Sequence, residues 1–132
     1  MKIMIIGGIR PDWINLSVMI RLLKKRFGNE NIIVCHSGQH YSYNLDKIFF
    51  EELKIDKPNY FFEVASGTHG EQTSKLLDKA EKVMIKEAPN LMLAFSDGNP
   101  SLAAISATKL HIKVAHVESG LRSNDWRMPE EK

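Results

Sequence analysis

Cysteine occurs once in this chain, at Cys35, so no disulfide can form within it. That thiol stands in an apolar run and reads as a buried strand residue rather than a redox group. Long hydrophobic runs are missing too. None approaches the roughly 20 residues of a membrane-spanning helix, so no membrane segment is expected. Met1–Ile6 is too brief for the apolar region of a secretory signal, and the cytoplasm is the expected compartment. No basic run stands out: 18 Lys and Arg are interspersed with 16 Asp and Glu, for a net charge of +2. That excludes the cationic stripe that would neutralise a phosphate backbone, and nucleic acid is not an expected partner. The dinucleotide fingerprint G-x-G-x-x-G is absent, as is an acidic residue about 20 positions beyond the first glycines, so no nicotinamide or flavin cofactor is expected. Histidine spacing suits no zinc motif, and a lone cysteine cannot complete one. No internal repeat or low-complexity linker interrupts the chain.

What is present is enough apolar residue, 43% of 132, to build the core of one domain. Apolar runs alternate with segments of helical period. Strands are expected at Ile3–Ile6, Asn31–Cys35, Tyr60–Val64, Leu91–Phe95 and Lys113–Val117. Between them, three sets of positions each share a helical face: Trp13, Leu16, Ile20, Leu23 and Phe27; then Leu45, Ile48, Phe49 and Leu53; then Leu76, Leu77, Ala80, Val83 and Met84. A fourth helix is expected from about Asn99 to Leu110. Such alternation argues for right-handed βαβ crossovers and an α/β fold, a parallel sheet covered on both faces. The punctuation agrees. Pro11 suits a first helical position, Asn99–Pro100 an N-cap and first position, and Thr68-His69-Gly70-Glu71 a capping box.

In an open parallel sheet, ligands gather beyond the carboxyl ends of the strands. Those ends carry Gly7-Gly8-Ile9-Arg10, His36-Ser37-Gly38-Gln39-His40, Ser66-Gly67-Thr68-His69, Ser96-Asp97-Gly98-Asn99 and His116-Val117-Glu118-Ser119-Gly120. One edge therefore collects four histidines with Arg10, Asp97 and Glu118, and all three of the latter are expected to open onto one cleft. The first loop suits a phosphate: glycines allow close approach, a helix N-terminus offers N–H groups, and Arg10 adds a planar cation. A plain strand-to-helix turn with an exposed arginine explains the same residues equally well. Asp97 and Glu118 form a carboxylate pair able to divide acid and base work, although Asp-Gly is also ordinary turn chemistry. Glu118 follows the apolar run Val114–Val117, and as a carboxylate at the end of a buried strand it is expected to need Arg122 or His116 as partner. The histidines are expected to be structural or ligand-orienting.

With these residues assembled, the chain resembles the N-terminal domain of the non-hydrolysing UDP-N-acetylglucosamine 2-epimerases. Gly8-Ile9-Arg10-Pro11-Asp12 is similar to the family's Gly-Thr-Arg-Pro-Glu, and Gly38-Gln39-His40 to its Gly-Gln-His. Ser96-Asp97-Gly98-Asn99 stands where the family has Gly-Asp-Thr. His116-Val117-Glu118-Ser119-Gly120-Leu121-Arg122-Ser123 is similar to its His-Val-Glu-Ala-Gly-Leu-Arg-Ser, and Met128-Pro129-Glu130-Glu131 to its Met-Pro-Glu-Glu. The departures are Ile9, Asn15 where the family usually has lysine, and Ser96 and Gly98 around the fourth-strand loop.

The resemblance implies a Rossmann-like domain over 1–120, the N-terminal half of a glycosyltransferase-B-like fold, with 121–132 beginning the connection to a second domain. It implies inversion at C2 of a UDP-amino sugar, without a redox cofactor, by elimination and re-addition of UDP. Asp97, Glu118 and Glu130 are the implied acid–base residues, and Arg10, Gln39, His40 and Arg122 the implied substrate-binding ones. A second domain or a separate chain would complete the site, a homodimer is the expected assembly, and this half by itself is expected to be inactive. Two alternatives keep the fold: a hydrolysing epimerase or sugar transferase of glycosyltransferase-B type, and a non-catalytic remnant or partner-docking subunit.

Overall fold

Side chains alternate across a strand, so a strand covered on both faces must be apolar at every position. The first strand, β1 (Ile3–Gly7), is buried throughout, and its odd and even positions enter different cores. The computed structural model describes residues 1–38, 50–64, 66–128 and 131. They contain the five strands β1, β2 (Ile32–His36), β3 (Tyr60–Phe61), β4 (Leu91–Phe95) and β5 (Lys113–Val117). All pairs are parallel, in the order β3-β2-β1-β4-β5. The expected parallel sheet is therefore present, and it is doubly wound.

On one face, Ile3, Ile5, Ile32, Val34, Leu93 and Phe95 pack under Trp13, Leu16 and Ile20 of helix α1 (Arg10–Phe27) and under Phe50. On the other, Met4, Ile6, Ile33, Cys35, Met92 and Ala94 pack under Leu76, Ala80, Val83 and Met84 of helix α2 (His69–Glu87), with Ala107 of helix α3 (Ala104–Lys109). Burial pushes the Cys35 thiol well above its ordinary range, in keeping with a strand residue and not a nucleophile. Of the second expected helical face, Leu45, Ile48 and Phe49 lie outside the described residues, while Leu53 packs partly buried against the first core. Among the described residues no helix is long and apolar enough to cross a membrane.

Four local expectations are corrected. The second strand starts one residue late, because Asn31 belongs to a 3₁₀ turn and its side-chain amide donates to the Phe27 carbonyl at 2.7 Å. The third is two residues rather than five. Glu63 takes a left-handed φ of 49° and breaks the pleat, although Phe62 and Val64 still donate to the His36 and Ser37 carbonyls at 2.8 Å. The fourth helix is split: Asn99–Ala103 is a 3₁₀ turn capped by Gly98 rather than Asn99, and only Ala104–Lys109 is α-helical. There the Ser101 hydroxyl and amide both donate to the Gly98 carbonyl, favouring the tighter bonding pattern. Finally, Val114–Val117 is not a buried run. As an edge strand with β4 as its neighbour, β5 is exposed or half-buried along its length.

Candidate active site

The chain winds outward from β1 to β3, then crosses back to place β4 on the other side of β1. At this reversal the segments leaving the strand ends diverge, which opens a crevice at the carboxyl edge. The loop after β1 enters α1 there. Its Gly8 and Ile9 amides, which a phosphate would otherwise find free, donate to Asp12 Oδ2 at 3.0 and 3.1 Å. Gly8 serves packing: a Cβ there would stand 2.6 Å from Pro100 Cγ and 2.8 Å from Ser37 Oγ. The glycine thus lets the loops after β1, β2 and β4 approach one another. Arg10 lies exposed at the start of α1.

At the end of β2, His36 is buried, with its ring stacked 5.1 Å from Trp13 and 5.5 Å from Phe61. Its Nδ1 accepts from the Gly38 amide at 2.8 Å. Gly38, at φ 78°, needs the conformational freedom of glycine and meets the Glu63 backbone. His36 therefore orients the loop after β2. Gln39 and His40 lie outside the described residues, as does Glu130. His69 is exposed at the first turn of α2, whose capping box between Thr68 and Glu71 is formed as expected.

The ends of β4 and β5 hold the assembled part of the site. The two strands pair with Ala94 opposite His116 and Phe95 opposite Val117. One residue further on, Ser96, Asp97, His116, Glu118, Gly120, Leu121 and Arg122 line a single cavity of about 80 Å³. Asp97, Glu118 and Arg122 thus come together, whereas Arg10 does not line this cavity and sits on the loop of the neighbouring strand β1. Glu118 is solvent-exposed, so the partner expected of a buried carboxylate is not required; the edge position of β5 is the reason. Arg122 donates to the Leu121 carbonyl at 3.0 Å. His116 Nε2 lies 2.7 Å from the Ser96 carbonyl oxygen, and the Ser96 hydroxyl donates to Asp97 Oδ1 at 3.0 Å.

Serine at position 96 gives no functional signal by its residue type. Its φ of 61° is left-handed, a conformation that glycine adopts freely, and the glycine of the resembling motif was the available signal. Beyond Gly120 the chain is irregular. Hydrogen bonds from the Ser123 hydroxyl and amide hold the Glu131 carboxyl below its usual range and fold the segment back on itself. Among the described residues, no three His, Cys, Asp or Glu side chains gather as metal ligands would.

The family described as UDP-N-acetylglucosamine 2-epimerase matches residues 24–132. A UDP-N-acetylglucosamine 2-epimerase of Methanocaldococcus jannaschii is 54% identical across 99% of this chain. A UDP-2,3-diacetamido-2,3-dideoxy-D-glucuronate 2-epimerase of Pseudomonas aeruginosa is 46% identical, again across 99%. Among solved structures, the M. jannaschii UDP-GlcNAc 2-epimerase in complex with UDP-GlcNAc and UDP superposes with a TM-score of 0.89 at 52% identity, covering 99% of this chain. A Rickettsia bellii UDP-N-acetylglucosamine 2-epimerase follows at 0.88 and 37%, also over 99% of this chain. The chain spans 36% of the length of the M. jannaschii relative, 37% of the Pseudomonas one, and 36% and 34% of the two solved chains. Its likeness is to their N-terminal part, the first half of a glycosyltransferase-B-like fold. Identity at this level over the whole sequence, on the same doubly wound sheet, makes this chain a member of the UDP-N-acetylglucosamine 2-epimerase family.

Proposed function

We propose that this chain supplies the acid–base half of a UDP-amino-sugar 2-epimerase, with residues 1–120 as the domain and 121–132 leading toward a second one. The observation that carries the reading is the cavity shared by Asp97, Glu118 and Arg122 at the paired ends of β4 and β5. Epimerisation at C2 removes the C2 proton to a base while the C1–O bond breaks toward UDP. That leaves a C1=C2 double bond. Re-addition returns UDP to C1 and a proton to the opposite face of C2. The scheme needs proton-transfer groups near both ring faces and cations for the departing diphosphate. Asp97 and Glu118, together with Glu130, are assigned the proton transfers. Arg10 and Arg122 are assigned to the phosphates, and Gln39 and His40 to the substrate.

The cavity formed here, about 80 Å³, is well below the roughly 300–1,000 Å³ of ordinary ligand pockets. That supports a division of labour in which a second domain, fused or separate, closes over the nucleotide; a homodimer is the proposed assembly. The substrate class is a UDP sugar bearing nitrogen at C2, the feature shared by the substrates named for the M. jannaschii and Pseudomonas relatives.

The test is uptake of solvent deuterium at C2 of UDP-GlcNAc, read by mass. The 132-residue chain alone should show none. Supplied with a matching second domain, in trans or fused, it should exchange the proton, and Glu118→Gln should abolish exchange while leaving UDP binding nearly intact. Robust uptake by the chain alone would overturn the half-site reading.

A further inference from the structure

Two neighbouring strands end here in the same uncommon way. Ser96, the first residue after β4, has φ 61°, and Glu118, the first after β5, has φ 64°. Neither is glycine, and a left-handed residue of this kind is strained, so the surroundings must hold it in place. The two residues follow the registered pair Phe95 and Val117, so the left-handed turns stand side by side across the sheet. They also adjoin both carboxylates of the cavity, since Glu118 is one of the turn residues and Asp97 follows the other. A left-handed residue reverses the local course of the chain. In continued extended backbone, residues 96 and 97 would project to opposite faces of the sheet; here Ser96 and Asp97 line one cavity.

Two backbone groups of Ser96 are engaged from β5. Its amide donates to the Val117 carbonyl at 3.1 Å, extending the ladder one step past the strands. Its carbonyl, on the far side of the residue, has His116 Nε2 at 2.7 Å. A carbonyl oxygen only accepts, so Nε2 carries the proton in this contact. His116 thus reaches from β5 to the carbonyl that precedes Asp97 and braces the turn across the strands.

We infer that His116 is a positioning residue, whose bond to the Ser96 carbonyl fixes the left-handed turn that sets Asp97 into the cavity it shares with Glu118. The inference rests on the assignment of these carboxylates to proton transfer, but the turn itself can be tested without turnover. In the 132-residue chain, the Ser96 amide is followed by hydrogen exchange, and the sign of its φ by the one-bond Cα–Hα coupling. His116→Ala should speed exchange at Ser96 by about tenfold, the equivalent of one hydrogen bond, and move its coupling toward negative φ. Gln presents its side-chain nitrogen near the place of Nε2, and Asn near that of Nδ1. His116→Gln should therefore restore protection and His116→Asn should not. Adding Ser96→Gly to His116→Ala should bring back the positive φ, because glycine adopts it without the Cβ penalty.

Unchanged exchange and coupling in His116→Ala would overturn the inference, as would equal rescue by Gln and Asn. Should His116→Ala fail to fold, the Gln and Asn variants carry the same contrast. Titration with UDP-GlcNAc separates this inference from the functional reading beneath it. If the turn loosens as expected, yet the sugar nucleotide moves no signal at Asp97 or Glu118 even with a second domain supplied, the positioning role stands and the epimerase assignment of these residues falls.

Discussion

At the amino edge of the sheet, charges are spent on holding the chain together. Glu87, at the end of α2, accepts from the Tyr60 hydroxyl at 2.5 Å and from the Lys2 ammonium at 3.1 Å. Beside it, the Lys2 amide donates to Asn90 Oδ1 at 2.8 Å and the Lys2 carbonyl accepts from the Asn90 amide at 2.8 Å. This network ties α2 to the starts of β1, β3 and β4. The carboxyl edge is built differently. Asp97 and Glu118 are exposed, two turn residues are left-handed, and tight packing of Gly8 against Pro100 and Ser37 draws the loops together. Both edges hold left-handed residues that are not glycine, but only at the carboxyl edge do they stand beside exposed carboxylates; the amino-edge carboxylate Glu87 is tied to Tyr60 and Lys2. That separation is what a sheet with a site at its strand ends requires.

The carboxyl edge should be most sensitive at Gly8. A Cβ 2.6 Å from a proline ring carbon cannot be relieved by a side-chain rotation, so Gly8→Ala should cost about 1–3 kcal/mol in urea unfolding. A loss below about 0.5 kcal/mol would mean that the loops at this edge are not locked by packing.

The amino edge should respond to pH. The Tyr60 hydroxyl, and after it Lys2, holds the Glu87 carboxyl below its usual range. Because its folded pKa is depressed, the stability it contributes is fully present above the unfolded value of about 4.3 and is lost as pH falls through the folded value. Glu87→Gln should therefore cost about 1 kcal/mol at pH 7, and much less once both proteins are compared in acid. A cost that does not shrink in acid would show that the tie is a matter of shape rather than charge.

How much of this was written plainly in the residues differs between the two ends. The sheet could be read because its strands are apolar on both faces and its helices keep one apolar stripe, a pattern local to each segment. Asp97, Glu118 and Arg122 could be placed at one edge because parallel topology sends every strand end there. What could not be read depends on neighbours. Asp12 occupying the Gly8 and Ile9 amides, the exposure of β5 as an edge strand, and the bond from His116 to Ser96 all follow from which strand lies beside which. A single left-handed residue such as Glu63 shortened a strand whose composition favoured pairing throughout. The amino-edge tie is not legible in the residues for a related reason: Tyr60 and Glu87 are 27 residues apart and meet only once the sheet is formed.

The two edges should also differ in how their left-handed residues respond to substitution. Each edge carries a left-handed residue that is not glycine: Ser96 at the carboxyl end, and Ala88, at φ 46° and ψ 55°, closing α2 at the amino end. Glycine adopts this conformation without the Cβ penalty, but it also gives the unfolded chain more freedom, so the net gain is a fraction of the full strain. Ala88→Gly should stabilise by about 0.5–1 kcal/mol, the left-handed penalty less the entropic cost of glycine. Ser96→Gly should gain somewhat less, because it also removes the exposed hydroxyl bond to Asp97. The two also differ in what they are coupled to. In a double-mutant cycle with His116→Ala, Ser96→Gly should show a clear interaction energy, since a turn that needs no brace loses little when the brace goes. Ala88→Gly, at the opposite edge, should add to His116→Ala within about 0.5 kcal/mol. If Ser96→Gly and His116→Ala were simply additive, the left-handed turn would not be what the histidine holds, and the strain at the carboxyl edge would be no different in kind from an ordinary helix terminus.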